Sequence, residues 1–208
     1  MSMRSPVRAA APVAKATRAV HTGYRILAKE DIQKENEAHE ARVKQAEAAI
    51  ERMGFHPLSI SRQEVVWGEH DQFRHVNNVH YLRWFESARM RWILRLASTL
   101  DPVHRDNFVQ GRGIGVIVAS TFCRYRRPVT YPDTVLISVG TLPMHRRDRC
   151  IVRQRAYSVQ QQTVVAEADF DIVGYDYENF CKADFPIEVY QAFEAWMYRG
   201  KDAHQSRL

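Results

Sequence analysis

The chain has 208 residues, of which 45% are hydrophobic, enough for one domain with a buried core and an added segment. Lys and Arg number 30 against 24 Asp and Glu, but Arg4, Arg8, Lys15, Arg18, Arg25 and Lys29 lie in an acid-free stretch, which leaves 24 cations against 24 acids beyond residue 29. A balanced remainder argues against a nucleic-acid-binding face. The widely spaced Cys123, Cys150 and Cys181 argue against a disulfide framework or structural zinc, and the uncharged run 113–123 falls well short of the roughly 20 residues that a membrane span needs.

Residues 1–29, rich in Arg, Ala and Ser, have the composition of an organellar targeting peptide. At helical spacing their six cations share a sector of about 100°, although Pro6 and Pro12 would interrupt a continuous helix. Arg18-Ala19-Val20-His21-Thr22 is similar to a matrix-processing site, so the mitochondrial matrix is the expected location. Residues 30–57 read as an N-terminal helical extension: Glu, Lys and Ala dominate 30–53, Glu30/Lys34 and Glu40/Lys44 are i,i+4 pairs, and Gly54 and Pro57 stop the helix. Its thin seam of Val43, Ala46, Ile50 and Met53 predicts docking along one edge of the domain.

Residues 58–190 read as the main domain, opening with a strand over 60–67. A helix follows over 78–97, with Tyr81, Leu82, Phe85, Ala88, Trp92, Ile93 and Leu96 forming a stripe wide enough for a helix enclosed by a sheet. Glu86 and Arg89, at i,i+3 spacing, suit a structural ion pair. A loop is expected over 98–113. Strands are expected over 114–125, 134–142, 150–159 and 163–173, joined by short polar connections that imply antiparallel neighbours. A last short helix spans 186–197, with residues 191–208 as helix end and tail. The order predicts an α+β fold, an antiparallel sheet curled around one central helix.

The most informative stretch is 67–81. Asp71 stands just ahead of a loop that ends in Asn77 and Asn78, residue types suited to cap a helix. This aims a carboxylate and the positive end of a helix at one small volume, which suits a carbonyl that must be attacked and polarised together. His75 can orient water or the carboxylate. Arg126 and Arg127, with Arg124, flank a Pro-containing turn and could meet phosphates.

Trp67-Gly68-Glu69-His70-Asp71, His75-Val76-Asn77-Asn78, Tyr81, Phe85-Glu86 and Arg89 together resemble the hotdog-fold thioesterase superfamily, both its 4-hydroxybenzoyl-CoA thioesterase-like group and, at the loop, the acyl-ACP thioesterases. The resemblance implies a hotdog fold, a homodimer or homotetramer with acyl-thioester sites between subunits, and binding of coenzyme A or acyl carrier protein through the pantetheine arm. It implies no cofactor beyond the coenzyme A or phosphopantetheine of the substrate, and no metal. Asp71 falls on the family's catalytic carboxylate and His75 on a histidine of the acyl-ACP pattern. Two positions depart from it. Arg74 replaces a glycine, which either alters the backbone or sends a cation toward substrate, and Phe73 stands where the acyl-ACP thioesterases carry Asn. The leading expectation is an acyl-thioester hydrolase in mitochondria. A catalytically inactive hotdog subunit of a larger mitochondrial assembly is the second, and a dehydratase or isomerase on the same fold the third.

Overall fold

The computed structural model describes residues 28–206 and 208. The targeting segment expected over 1–29 therefore lies, up to residue 27, outside the described residues. Helix α1 spans Lys29–Arg52, and its buried residues are Val43, Ala46 and Ile50. It ends at Gly54, whose φ of 101° only glycine adopts without strain. A Cβ there would run into the backbone of Arg199 and Gly200, where the C-terminal tail crosses.

Strand β1 is Ser61–Glu64, shorter than the 60–67 expected. The chain leaves the sheet at Val65 and forms a 3-10 turn over Trp67–Glu69. Helix α2 spans Asn78–Ala97, with Tyr81, Trp84, Phe85, Ala88, Arg89, Trp92, Ile93, Leu96 and Ala97 buried. The expected stripe is corrected at two points: Leu82 is 38% exposed, and Arg89 is buried at 7% without an ion pair to Glu86.

The loop expected over 98–113 is instead helix α3, Pro102–Gln110. Its stop and start signals are all in the sequence. Asp101 Oδ1 accepts from the N–H groups of Val103 and His104 at 3.0 and 3.2 Å, Pro102 occupies the first turn, and Gly111 ends the helix at φ 64°. The helix carries one buried apolar residue, Phe108, so apolar periodicity had nothing to register.

Strands β2 (Ile114–Tyr125), β3 (Thr134–Thr141), β4 (Arg149–Ser158), β5 (Thr163–Asp176) and the short β6 (Cys181–Lys182) complete the sheet, and α4 spans Ile187–Ala195. The sheet is antiparallel throughout, in order β1-β3-β4-β5-β2, with β6 pairing β5. Strand β5 continues through Gly174, where a break was expected. The missing Cβ lets the Ala183 carbonyl approach, and Ala183 N donates to Gly174 O at 3.0 Å.

The sheet has two covered faces. On one, Val135, Ile137, Val139, Val152, Ala168 and Phe170 meet α2, with α3 and α4 closing the core through Phe108 and Phe193. On the other, Leu136, Tyr157 and Val159 meet Val43, Ala46 and Ile50 of α1 and Tyr198 and Ala203 of the tail. Helix α1 thus lies on a sheet face, not along the edge expected. All eight residues of β3 are buried, Thr134, Ser138 and Thr141 included, because both of its faces are covered.

Candidate functional site

The loop between the 3-10 turn and α2 is a closed knot of backbone bonds. Asp71 N donates to His75 O at 3.0 Å, Arg74 N to Asp71 O at 3.0 Å, and Asn77 N to Glu69 O at 2.9 Å. An isolated antiparallel bridge joins His70 and Val76. The turn needs a left-handed residue at its tip, and Arg74 supplies it at φ 66°. The backbone conformation that a glycine would favour is therefore kept, at a strain of about 1 kcal/mol or more. Glu69, 14% exposed in its side chain, staples the knot to α2. Its Oε2 accepts from Val66 N at 2.8 Å, its Oε1 from Trp84 Nε1 at 3.0 Å, and His80 Nδ1 lies 3.6 Å away.

Asn77 is the N-cap of α2, its Oδ1 accepting from Val79 N at 3.2 Å. His80 N is taken by Asn77 O at 3.0 Å, so Asn78 keeps the free backbone N–H at the positive end of the helix. The carboxylate of Asp71 divides its work. Oδ1 accepts from Phe73 N at 2.7 Å, an Asx turn, while Oδ2 stands 3.9 Å from His75 Nδ1. His75 Nδ1 also lies 3.2 Å from Val76 O. A carbonyl can only accept, so Nδ1 carries the hydrogen and neutral His75 presents Nε2 as a lone-pair base.

A cleft of about 330 Å³ opens beside this loop, walled by His75, Asn78, Tyr81, Tyr125, Arg126 and Arg127 among others. Of the expected site residues it gathers His75, Asn78, Arg126 and Arg127. Asp71 stands behind His75 and outside the wall, Asn77 serves as the cap, and Arg74 joins neither wall nor ion pair. Arg126 is held by Glu167 at 2.8 Å, and Arg126 and Arg127 also border an adjoining polar cleft of about 490 Å³ with Arg155 and Thr163. Two tyrosines escape sequence reasoning. Tyr125, at the end of β2, donates its hydroxyl to Asn78 O at 3.1 Å and meets Tyr81 ring to ring at 5.3 Å. Burial pushes both phenols up, Tyr125 to about 12, so both are neutral donors. The only signal was adjacency: Tyr125 precedes Arg126, and Tyr81 reads as core.

Among the described residues no group of three or more His, Cys, Asp or Glu could hold a metal ion, and no helix is long and apolar enough to cross a membrane.

A family profile described as Thioesterase-like superfamily matches residues 65–193. No curated protein matches the chain. Among solved structures, a protein of Pseudomonas aeruginosa strain PAO1 superposes at a TM-score of 0.59 with 20% identity, covering 72% of this chain and 96% of that one. DHNA-CoA thioesterase from Staphylococcus aureus gives 0.54 at 16% identity over 65% and 88% of the two chains. The 1,4-dihydroxy-2-naphthoyl-CoA thioesterase of Synechocystis gives 0.54 at 14% identity over 64% and 93%.

Proposed function

We propose, from the premise that the chain belongs to the thioesterase-like superfamily, that it hydrolyses an acyl thioester of coenzyme A or acyl carrier protein in the mitochondrial matrix. The observation that carries the reading is the convergence of His75, Asn78 at the start of α2 and the neighbouring cations Arg126 and Arg127 on one cleft, with Asp71 behind His75. Asp71 acts as nucleophile or general base, and His75 relays or orients the attacking water between it and the thioester carbon. The start of α2, capped by Asn77, polarises the carbonyl oxygen through Asn78 N–H and the helix dipole. Tyr125 fixes that first turn by holding Asn78 O. Arg126 and Arg127 receive the phosphates of coenzyme A or phosphopantetheine. Arg74 remains a candidate for the same anion from the loop tip. Products are a free acid and a thiol, and the working unit is a homodimer or homotetramer.

The experiment is free-thiol release from a panel of acyl-CoA and acyl-ACP thioesters by wild type, Asp71→Asn and His75→Ala. Loss of turnover in Asp71→Asn by about 100-fold or more supports the assignment. An inactive wild type on every substrate, or an equally active Asp71→Asn, overturns it.

Two observations favour a second reading, a non-catalytic subunit of a larger mitochondrial assembly. One oxygen of Asp71 is spent on a turn, and α1 stands almost wholly exposed up to residue 38, three turns with little of the domain against them. Purification from mitochondria under native conditions separates the two: a small free homo-oligomer supports the enzyme, and stable co-purification with a large complex supports the subunit.

A further inference from the structure

Across an antiparallel pair, residues directly opposite each other stand on the same face of the sheet. The core-facing row of β5, Ala166, Ala168, Phe170 and Ile172, lies opposite Tyr125, Cys123, Thr121 and Val118 of β2. That row of β2 therefore faces the helices, with Val116 next in line. Yet Thr121 and Val118 are exposed, Val118 at 40%. The reason is the placement of α2, which lies closest to β1, β3 and β4 and stands off from β5 and β2. A trough is left between the helix and that half of the sheet.

One end of the trough is the cleft at the start of α2, where Asn78, Tyr81 and Tyr125 meet. The other is an apolar cleft of about 190 Å³ between Met90, Ile93 and Leu94 of α2, Phe108 of α3 and Val116 of β2. The uncharged run 113–123 floors the path between them, a lining suited to an acyl chain.

One charge interrupts it. Arg89 reaches from α2 across the gap, its guanidinium carbon 4.4 Å from the centre of the Phe170 ring, and Phe170 lies opposite Thr121. The residue is 7% exposed, and its Nη1 is shut off from solvent without a hydrogen-bond partner. Glu86, three residues earlier on the same helix, acts on it only at longer range, and among the described residues no carboxylate forms an ion pair with it. The ring face attracts the cation but leaves its in-plane N–H donors unused. A guanidinium taken out of water with donors unpaired is costly, and a trough that held only alkyl chains would be better lined by Met at this position. The planar fork of an arginine matches a carboxylate, two N–H groups to two oxygens.

We propose that Arg89 receives a carboxylate at the far end of the acyl group, so that the substrate is the monothioester of a dicarboxylic acid. The inference rests on the hydrolase reading above and adds the substrate class. Arg89 follows Asn78 by 11 positions, about 16 Å along the axis at a rise of 1.5 Å per residue, which sets the span from carbonyl to carboxylate and favours long chains over short. The reaction is otherwise the one above. Water adds to the thioester carbon, the carbon–sulfur bond breaks, the sulfur takes a proton, and the products are a dicarboxylic acid and a thiol.

The test is free-thiol release from matched thioesters: adipoyl- against hexanoyl-CoA, sebacoyl- against decanoyl-CoA, and hexadecanedioyl- against palmitoyl-CoA. The ratio of kcat/KM is taken within each pair and each protein, so that a general loss of activity cancels. Wild type is expected to favour the dicarboxylic member of the long pairs by about 10-fold or more. In Arg89→Met the ratio is expected to fall to about one, and Arg89→Lys, which keeps the charge and loses the fork, is expected to lie between. An arginine with a merely structural role would lower both members of a pair alike and leave the ratio unmoved. A wild-type ratio of one or less overturns the proposal, whether or not the variants fold, and leaves the hydrolase reading standing. An Arg89→Met that keeps the wild-type ratio overturns it as well. If no thioester is turned over, the hydrolase reading falls, and melting temperature decides the anion site. Hexadecanedioic acid is then expected to raise it in wild type and not in Arg89→Met, and an equal shift in both, or none, overturns the site.

Discussion

On one face of β4 and β5, Cys150, Val152, Ala156, Ala168, Phe170 and Ile172 meet the helices of the main core. On the other face of the same strands, Arg149 reaches Asp171 at 3.2 Å, Arg153 reaches Asp169 at 2.8 Å, and Arg155 lies 3.9 Å from Glu167. The alternation is the period-2 pleat, but the two faces are stabilised differently. Apolar packing is non-directional and tolerates any side chain of the right volume. The charged face works only if each partner is present. Arg153 and Asp169 are both only 4% exposed in their side chains, and the second bond of the pair, Nε to Oδ1, is also 2.8 Å long. Arg153 also donates to the carbonyls of Asp202 and Gln205 at 2.8 and 2.7 Å. The cost of taking this guanidinium out of water is offset by bonds that also pin the C-terminal tail to the sheet.

The contrast predicts a ranking of effects. Trp92→Ala, at a fully buried position between Phe193 and Trp196, is expected to cost about 3–5 kcal/mol by denaturant unfolding. Asp169→Ala leaves the buried guanidinium with only the more exposed Asp202 carboxylate at 3.2 Å and should cost about 3 kcal/mol, whereas the pair Arg153→Met with Asp169→Leu should stay within roughly 1–2 kcal/mol of wild type. If the double apolar variant is as damaged as the single, the charged face does not depend on its pairing. Ile50→Ala, in the smaller cluster under α1, is expected to cost about 2–4 kcal/mol. Hydrogen exchange should place the loss in α1 and the tail, with α2 still protected.

Smaller effects test the seams. Asp101→Ala removes the cap of α3 and should cost about 1 kcal/mol, read as faster exchange confined to that helix. Asp133, buried just ahead of β3, is pushed above the usual carboxylate range by burial, although Ser158 and Gln160 N donate to it. The folded state therefore holds this proton more tightly than the unfolded chain. Its contribution to stability falls as pH rises from the unfolded value through the folded one, then levels off. In Asp133→Asn that acid-side slope should flatten in pH-dependent melts, and an unchanged slope would mean that Asp133 does not carry it.

Much of the fold was legible in the residues. The boundaries of α2 and β2 follow from Asn77, Asn78 and the uncharged run to Cys123, because caps and alternation are local. Helix α3 is not legible from periodicity because a nine-residue helix with one buried side chain has no apolar stripe, even though Asp101-Pro102 and Gly111 mark its ends. Gly174 misled because the same residue that breaks a strand also admits a close neighbour. At the site, the pairing of Asp71 with a capped helix start was legible, but the position of His75 between Asp71 and the cleft was not, since it depends on a left-handed Arg74 turning the loop back.

Local grammar in the chain determined where most helices and strands begin, and that a capped loop carrying Asp71 and His75 precedes the long helix. Those depend on caps, turns and periodicity within a few residues. The tertiary structure alone decided that Tyr125 braces Asn78 across 47 positions, that α1 covers a sheet face, and that Arg89 is buried without a counter-ion. Such facts turn on which distant side chains exclude water from one another, and no local pattern of residue types encodes that.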